Sequence, residues 1–113
     1  MMVNFRELFR QVKAHPRMFL LSPSYLALVS FVSGCDAATA GSLLAGFDTW
    51  VARRTPQVGA TSLGWPAIIA ARHWPLALDG VHTITELPAD SDMLAGKDLL
   101  ELLDEFLEER VTS

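Results

Sequence analysis

The chain lacks most of the residue patterns on which small proteins build chemistry. It has one cysteine, Cys35, in 113 residues. A single thiol excludes an internal disulfide and suits a reducing compartment. Beside Asp36 it has no base assignable to it, so no nucleophile motif is present. A small buried residue on a helix is its ordinary role. The three histidines, His15, His73 and His82, have no cysteine or carboxylate at a metal-ligand spacing. His82 and Glu86 are four apart, but in a stretch without helical periodicity. Gly59, Gly64 and Gly80 are isolated, so there is no phosphate-cradling loop. The expectation is no enzyme: no catalytic residues, no cofactor and no metal. Long apolar runs are also missing. The longest, Met18 to Val32, is interrupted by Ser22, Pro23, Ser24 and Ser30, which excludes a membrane span. Arg6 and Glu7 stand where a secretory signal would need its apolar core. A soluble, cytoplasmic protein is expected.

What is present is enough for one core. Half of the residues are hydrophobic, and the length is that of one domain, residues 1–113. The net charge of −4 is unevenly divided. Residues 1–56 hold six basic and three acidic side chains, net +3; residues 57–113 hold three basic and ten acidic, net −7. So acidic a second half argues against direct binding to nucleic acid. It suits a basic protein partner, although charge runs also serve simply to solvate a helix face.

The periodicity is helical. Asn4 and Glu7 form a capping-box pattern, and Phe5, Leu8, Phe9 and Val12 follow as one stripe. Arg6, Arg10, Lys13 and Arg17 line another face; without interleaved aromatics it reads as solvated rather than RNA-binding. Pro16 ends this helix. Met18, Phe19 and Leu20 in the following connection are expected to plug the core. Ser22 and Pro23 read as N-cap and first residue of a central, largely apolar second helix, in which Gly34 permits close contact or marks the end. A third helix is expected over 41–54, with Leu43, Leu44, Phe47, Trp50 and Val51 inward and Pro56 beyond its end.

Two Trp-Pro pairs, Trp65-Pro66 and Trp74-Pro75, bracket a short helix that Ser62 is placed to cap, with Ile68 and Ile69 inward. Trp65 is expected to anchor it to the core and Trp74 to stay partly exposed for a partner. Residues 81–87 alternate apolar and polar; strand and extended loop both fit, and with no partner strand the loop is preferred. Ser91 or Asp92 is expected to cap the last helix. There Leu99, Leu102, Leu103, Phe106 and Leu107 face inward, and Glu101, Asp104, Glu105 and Glu108 crowd the rest with few cations to pair. The fold class is all-α, a compact single-domain bundle of about four to five helices.

The order of motifs resembles that of small immunity proteins of bacterial contact-dependent growth inhibition and polymorphic toxin systems. Pro16, Met18, Phe19 and Leu20 match a first element of the form R-P-G-M-Y-L-G. Tyr25, Leu28, Phe31 and Gly34 match a following helix, and Phe47, Trp50, Val51 and Arg54 a third element. Trp65 leads the fourth, and Leu102 to Arg110 close the pattern. The match spans most of the chain, and each motif alone is weak. Here His15 replaces the pattern's arginine, Arg17 and Leu21 its glycines, and Cys35 its usual tyrosine. The resemblance implies a protein that binds a cognate toxin domain, commonly a nuclease with a basic cleft, and blocks it. Trp74, Glu101, Asp104, Glu105 and Glu108 are the partner-binding candidates, chosen by exposure and charge. A non-enzymatic structural or oligomerisation subunit is the alternative. An enzyme using Cys35 and a histidine ranks last. Oligomeric state is not legible.

Overall fold

The computed structural model describes residues 3–58 and 63–112. The cap expected at Ser62 lies outside them. The described residues form six α-helices and three 3-10 turns, with no strand, so the chain is all-α. Its radius of gyration, 13.7 Å, is close to the ~13 Å of a single compact domain of this size.

α1 (Phe5–Ala14) starts as its sequence requires: the Asn4 side chain accepts a hydrogen bond from the Glu7 N–H at 3.1 Å. Phe9 and Val12 are buried. After Pro16 the chain makes one more turn, α2 (Pro16–Phe19), and then runs extended. This single turn corrects the expected core plug. Leu20 is buried and Phe19 half-buried, the latter edge-on to Phe31 at 6.1 Å; Met18 is 76 % exposed and Leu21 fully exposed. An extended backbone points successive side chains to opposite sides, so Leu20 and Leu21 cannot both be inside.

α3 (Tyr25–Ala38) is capped by Ser24, not Ser22: its hydroxyl accepts from the Ala27 N–H at 3.1 Å. Tyr25, Leu28, Val29 and Val32 are buried, but Gly34 is exposed with open space around it, so no helix approaches closely there. The third helix is shorter than its periodicity suggests. Ala40, Gly41 and Gly46 take positive φ (55°, 81° and 84°), which breaks any helix, and α4 covers only Phe47–Arg53. Leu43 and Leu44 are still buried, from a turn that the Asp36 carboxylate holds by accepting the Leu44 N–H at 2.9 Å.

α5 (Trp65–Ala71) has Pro66 in its first turn and buries Trp65, Ile68 and Ile69. Its cap comes from α4: the Asp48 carboxylate accepts the Trp65 N–H at 2.7 Å. Residues 81–87 are loop with a 3-10 turn at Ile84–Glu86, closed by a Thr83/Glu86 capping box. α6 (Ala89–Thr112) begins earlier than Ser91 or Asp92, because the Pro88 carbonyl already accepts the Asp92 N–H at 2.8 Å. Those two side chains serve other elements. Ser91 donates to the His73 carbonyl, and Asp92 accepts the Tyr25 N–H at 3.0 Å. Across all of this runs one core, centred on Phe47, which touches Trp50, Trp65 and Phe106 with ring centroids 5.0–6.0 Å apart. No described helix is long and apolar enough to cross a membrane.

Candidate functional site

The acidic face of α6 and the basic face of α1 are neighbours. Arg6 donates to Asp104 at 2.8 Å and reaches Glu108 at 3.3 Å; Arg10 reaches Asp104 at 3.3 Å; Lys13 lies 3.6 Å from Glu101. The hydrogen bond from Arg6 is the first reason that the Asp104 carboxyl is held below its ordinary range, and the charges of Arg6 and Arg10 add to it. Two stripes that look solvated when read separately thus neutralise one another over a shallow cleft of about 330 Å³. Three of the candidate carboxylates are engaged inside the molecule. Glu105 lines the same cleft, is exposed, and takes part in none of the ion pairs formed among the described residues.

Trp65 and Trp74 divide as their surroundings suggest: Trp65 is buried and Trp74 half-buried. The Trp74 ring meets His82 edge-on at 5.4 Å. His82 is in turn held by Asp79, through its ring Nδ1 and its backbone N–H. Backbone N–H groups of His82 and Val81, then the His82 ring, pull the Asp79 pKa down to about 2. Arg72 and His73, which flank Trp74 in sequence, both turn inward onto Asp98 Oδ2, at 2.7 and 2.9 Å. Arg72 also donates to the buried Thr55 hydroxyl at 3.0 Å. This cluster joins the end of α4, α5 and α6, and it is missed by motif spacing because its members come from separate segments. Cys35 is half-buried on α3, and burial raises its thiol pKa, which favours the unreactive protonated form. Among the described residues no histidine, cysteine and carboxylate groups gather into a metal-sized cluster.

A larger concave surface lies elsewhere. A groove of about 810 Å³ opens between the end of α1, the start of α3 and the first half of α6. Its floor is Val12, Leu20, Leu28 and Leu100, with Leu87 at one end. Met93, Gly96, Lys97 and Leu100 line it at i, i+3, i+4 and i+7, a second helical stripe on α6 beside the buried one of Ala95, Leu99, Leu102 and Phe106. Met93 is 70 % exposed, and Met18 and Leu21 are exposed in the segment whose neighbours Pro16, Leu20 and Pro23 line the wall. The signal for this groove was in the sequence as that second stripe, in a helix whose strongly acidic end draws the eye first.

Comparison with protein-family profiles, with characterised proteins and with solved structures finds no match to this chain.

Proposed function

We propose that the protein is a binding protein that neutralises a cognate toxin domain, a nuclease by the resemblance described above, in the cytoplasm. One observation carries the binding role: an open apolar groove floored by Val12, Leu20, Leu28 and Leu100 and lined by the exposed Met93. Exposed apolar surface of this kind, gathered around a concave floor, marks an interaction site. The titratable clusters support the same reading, since Asp98 ties helices together and Asp79 ties a loop. Trp74 and Glu105 keep accessible faces for a partner. Glu101, Asp104 and Glu108 would meet one by exchanging their pairing with α1.

The alternative is an oligomerisation subunit that covers the groove with another copy of itself. The test is co-expression with the product of the adjacent upstream gene, scored by growth rescue and by co-purification. Rescue with a stable complex supports neutralisation. A self-assembled oligomer with neither rescue nor complex favours the alternative.

A further inference from the structure

We propose that the free protein forms a reversible homodimer in which the first half of α6 packs in parallel against α6 of a second copy, each helix lying along the other's groove. This goes beyond the neutralising role and does not depend on it; a toxin that took the same groove would displace the second copy. The α6 residues lining the groove are Ala89, Asp92, Met93, Gly96, Lys97 and Leu100. Four of them, Ala89, Met93, Gly96 and Leu100, follow one another at spacings of four, three and four, the repeat of a seam that packs on a second helix. The stripe that α6 gives to the core runs separately, through Ala95, Leu99, Leu102 and Phe106. On the groove seam Met93 is 70 % exposed.

The charges select the occupant. The helical turn puts Asp92 and Lys97 on opposite edges of the seam. They are five residues apart, beyond the three- and four-residue spacings at which side chains of one helix pair. Neither takes part in an ion pair among the described residues. Asp92 Oδ1 accepts the Tyr25 N–H at 3.0 Å, which holds the carboxylate at the groove with its charge intact. Between two parallel helices, a residue just before one seam position faces the residue five places on in the other chain. Asp92 of each copy then meets Lys97 of the other, twice across the two-fold axis. An antiparallel pair would set Lys97 beside Lys97 and Asp92 beside Asp92. A second copy supplies both signs at the required offset by construction. The groove's other cation, Lys13, is paired with Glu101 and takes no part.

Size agrees with charge. Small Ala89 and Gly96 alternate with Met93 and Leu100, so backbones can approach and the longer side chains fill the space between. Gly96 lies inside α6, where glycine weakens a helix relative to alanine. The fold does not require it: an added Cβ would come only to ordinary contact, 3.8 Å from Leu28 Cδ2. The seam is about 17 Å long from its helical rise. Contact so short gives a reversible pair, completed by the apolar floor of Val12, Leu20 and Leu28.

The experiment uses the full chain. Sedimentation velocity over a concentration series should show a monomer–dimer equilibrium. Lys97→Glu sets two acidic edges together and should raise the dissociation constant about ten-fold. Asp92→Asn keeps an oxygen for the Tyr25 N–H and should raise it about three-fold. Added to Lys97→Glu, Asp92→Asn should instead lower it, because repulsion is removed. Gly96→Leu should leave a monomer. Its thermal midpoint should be no lower than that of the unsubstituted chain, both measured at a concentration where dimer is absent. In a Cys35→Ala background, Ala89→Cys should oxidise to a disulfide-linked dimer, since parallel pairing brings the two copies of position 89 together and antiparallel pairing sets them at opposite ends of the seam. A chain that stays monomeric at every concentration overturns the proposal. So does a dimer that Lys97→Glu and Gly96→Leu leave intact, which joins through another surface, or one that Ala89→Cys does not cross-link, which is not parallel. Growth rescue is scored separately: a monomer that rescues leaves the neutralising role standing without the pairing, and a dimer of this kind without rescue leaves the pairing standing without that role.

Discussion

From Leu99 to Arg110, α6 presents leucines and Phe106 to the core and carboxylates to the arginines of α1. Glu109 also accepts the Trp50 indole N–H at 2.6 Å and pairs with Arg54, which stacks on that indole at 4.0 Å. From Ala89 to Asp98 the same helix leaves Met93 and Leu94 half or more exposed and keeps a glycine at the groove. One continuous element thus has a half that holds the fold together and a half that offers surface. Dense packing and exposed apolar surface are separated along its axis, so substitutions at one end can be judged without disturbing the other.

The largest contrast is between Phe106 and Met93. Phe106→Ala removes a ring packed on Phe47 and Trp50 and should cost about 3–5 kcal/mol, read by chemical denaturation. Met93→Ala should stay within about 0.5 kcal/mol. Equal losses would erase the distinction between the halves.

Asp98 lies where they join, with its side chain 14 % exposed. Asp98→Ala leaves the Arg72 guanidinium half-buried without its carboxylate and should cost about 2 kcal/mol. A loss as small as that of Met93→Ala would mean that water replaces the carboxylate without penalty.

Tyr25→Phe tests the near end. The phenol donates to the Pro66 carbonyl at 2.6 Å, and losing that bond should cost about 1 kcal/mol.

The seam between α1 and α6 is the smallest effect. Asp104→Asn should lower stability slightly at low ionic strength and not at all in high salt, since the pairs are partly exposed. The sign with pH follows from the depressed carboxyl: its contribution is present above the ordinary aspartate range and fades as pH falls below about 4. A salt-independent loss would show that Asp104 acts through packing instead.

Much of the helical content was legible because it is local. Asn4 and the stripe from Phe5 to Val12 specify α1 without help, and the leucine stripe specifies the end of α6. Boundaries were less so. Gly46 looks tolerable in a periodic run until its φ of 84° ends it, and Ser22 and Ser24 are equivalent caps in a string of letters. The division of Trp65 from Trp74 matches the expectation, although the polar neighbours of Trp74, Arg72 and His73, turn inward onto Asp98. What could not be seen is what comes together across the chain. Arg6 and Asp104 are 98 residues apart, and nothing local says that their faces meet. The second stripe on α6 is legible, but the groove it helps to line is not, since its other walls come from α1 and the start of α3, far away in the chain.

Tyr25 is the chain's one tyrosine, and it is anchored at both ends: its amide to α6, its hydroxyl to α5. Burial first, then Asp98 and Asp92, lift its pKa well above the ordinary value. A phenol that ionises more readily in the unfolded chain draws the equilibrium toward unfolding as alkali is added, from about pH 10 upward. The molecule therefore carries its own optical gauge: tyrosinate absorbance reports disengagement of α3 from its neighbours rather than the titration of a surface group, with no label attached.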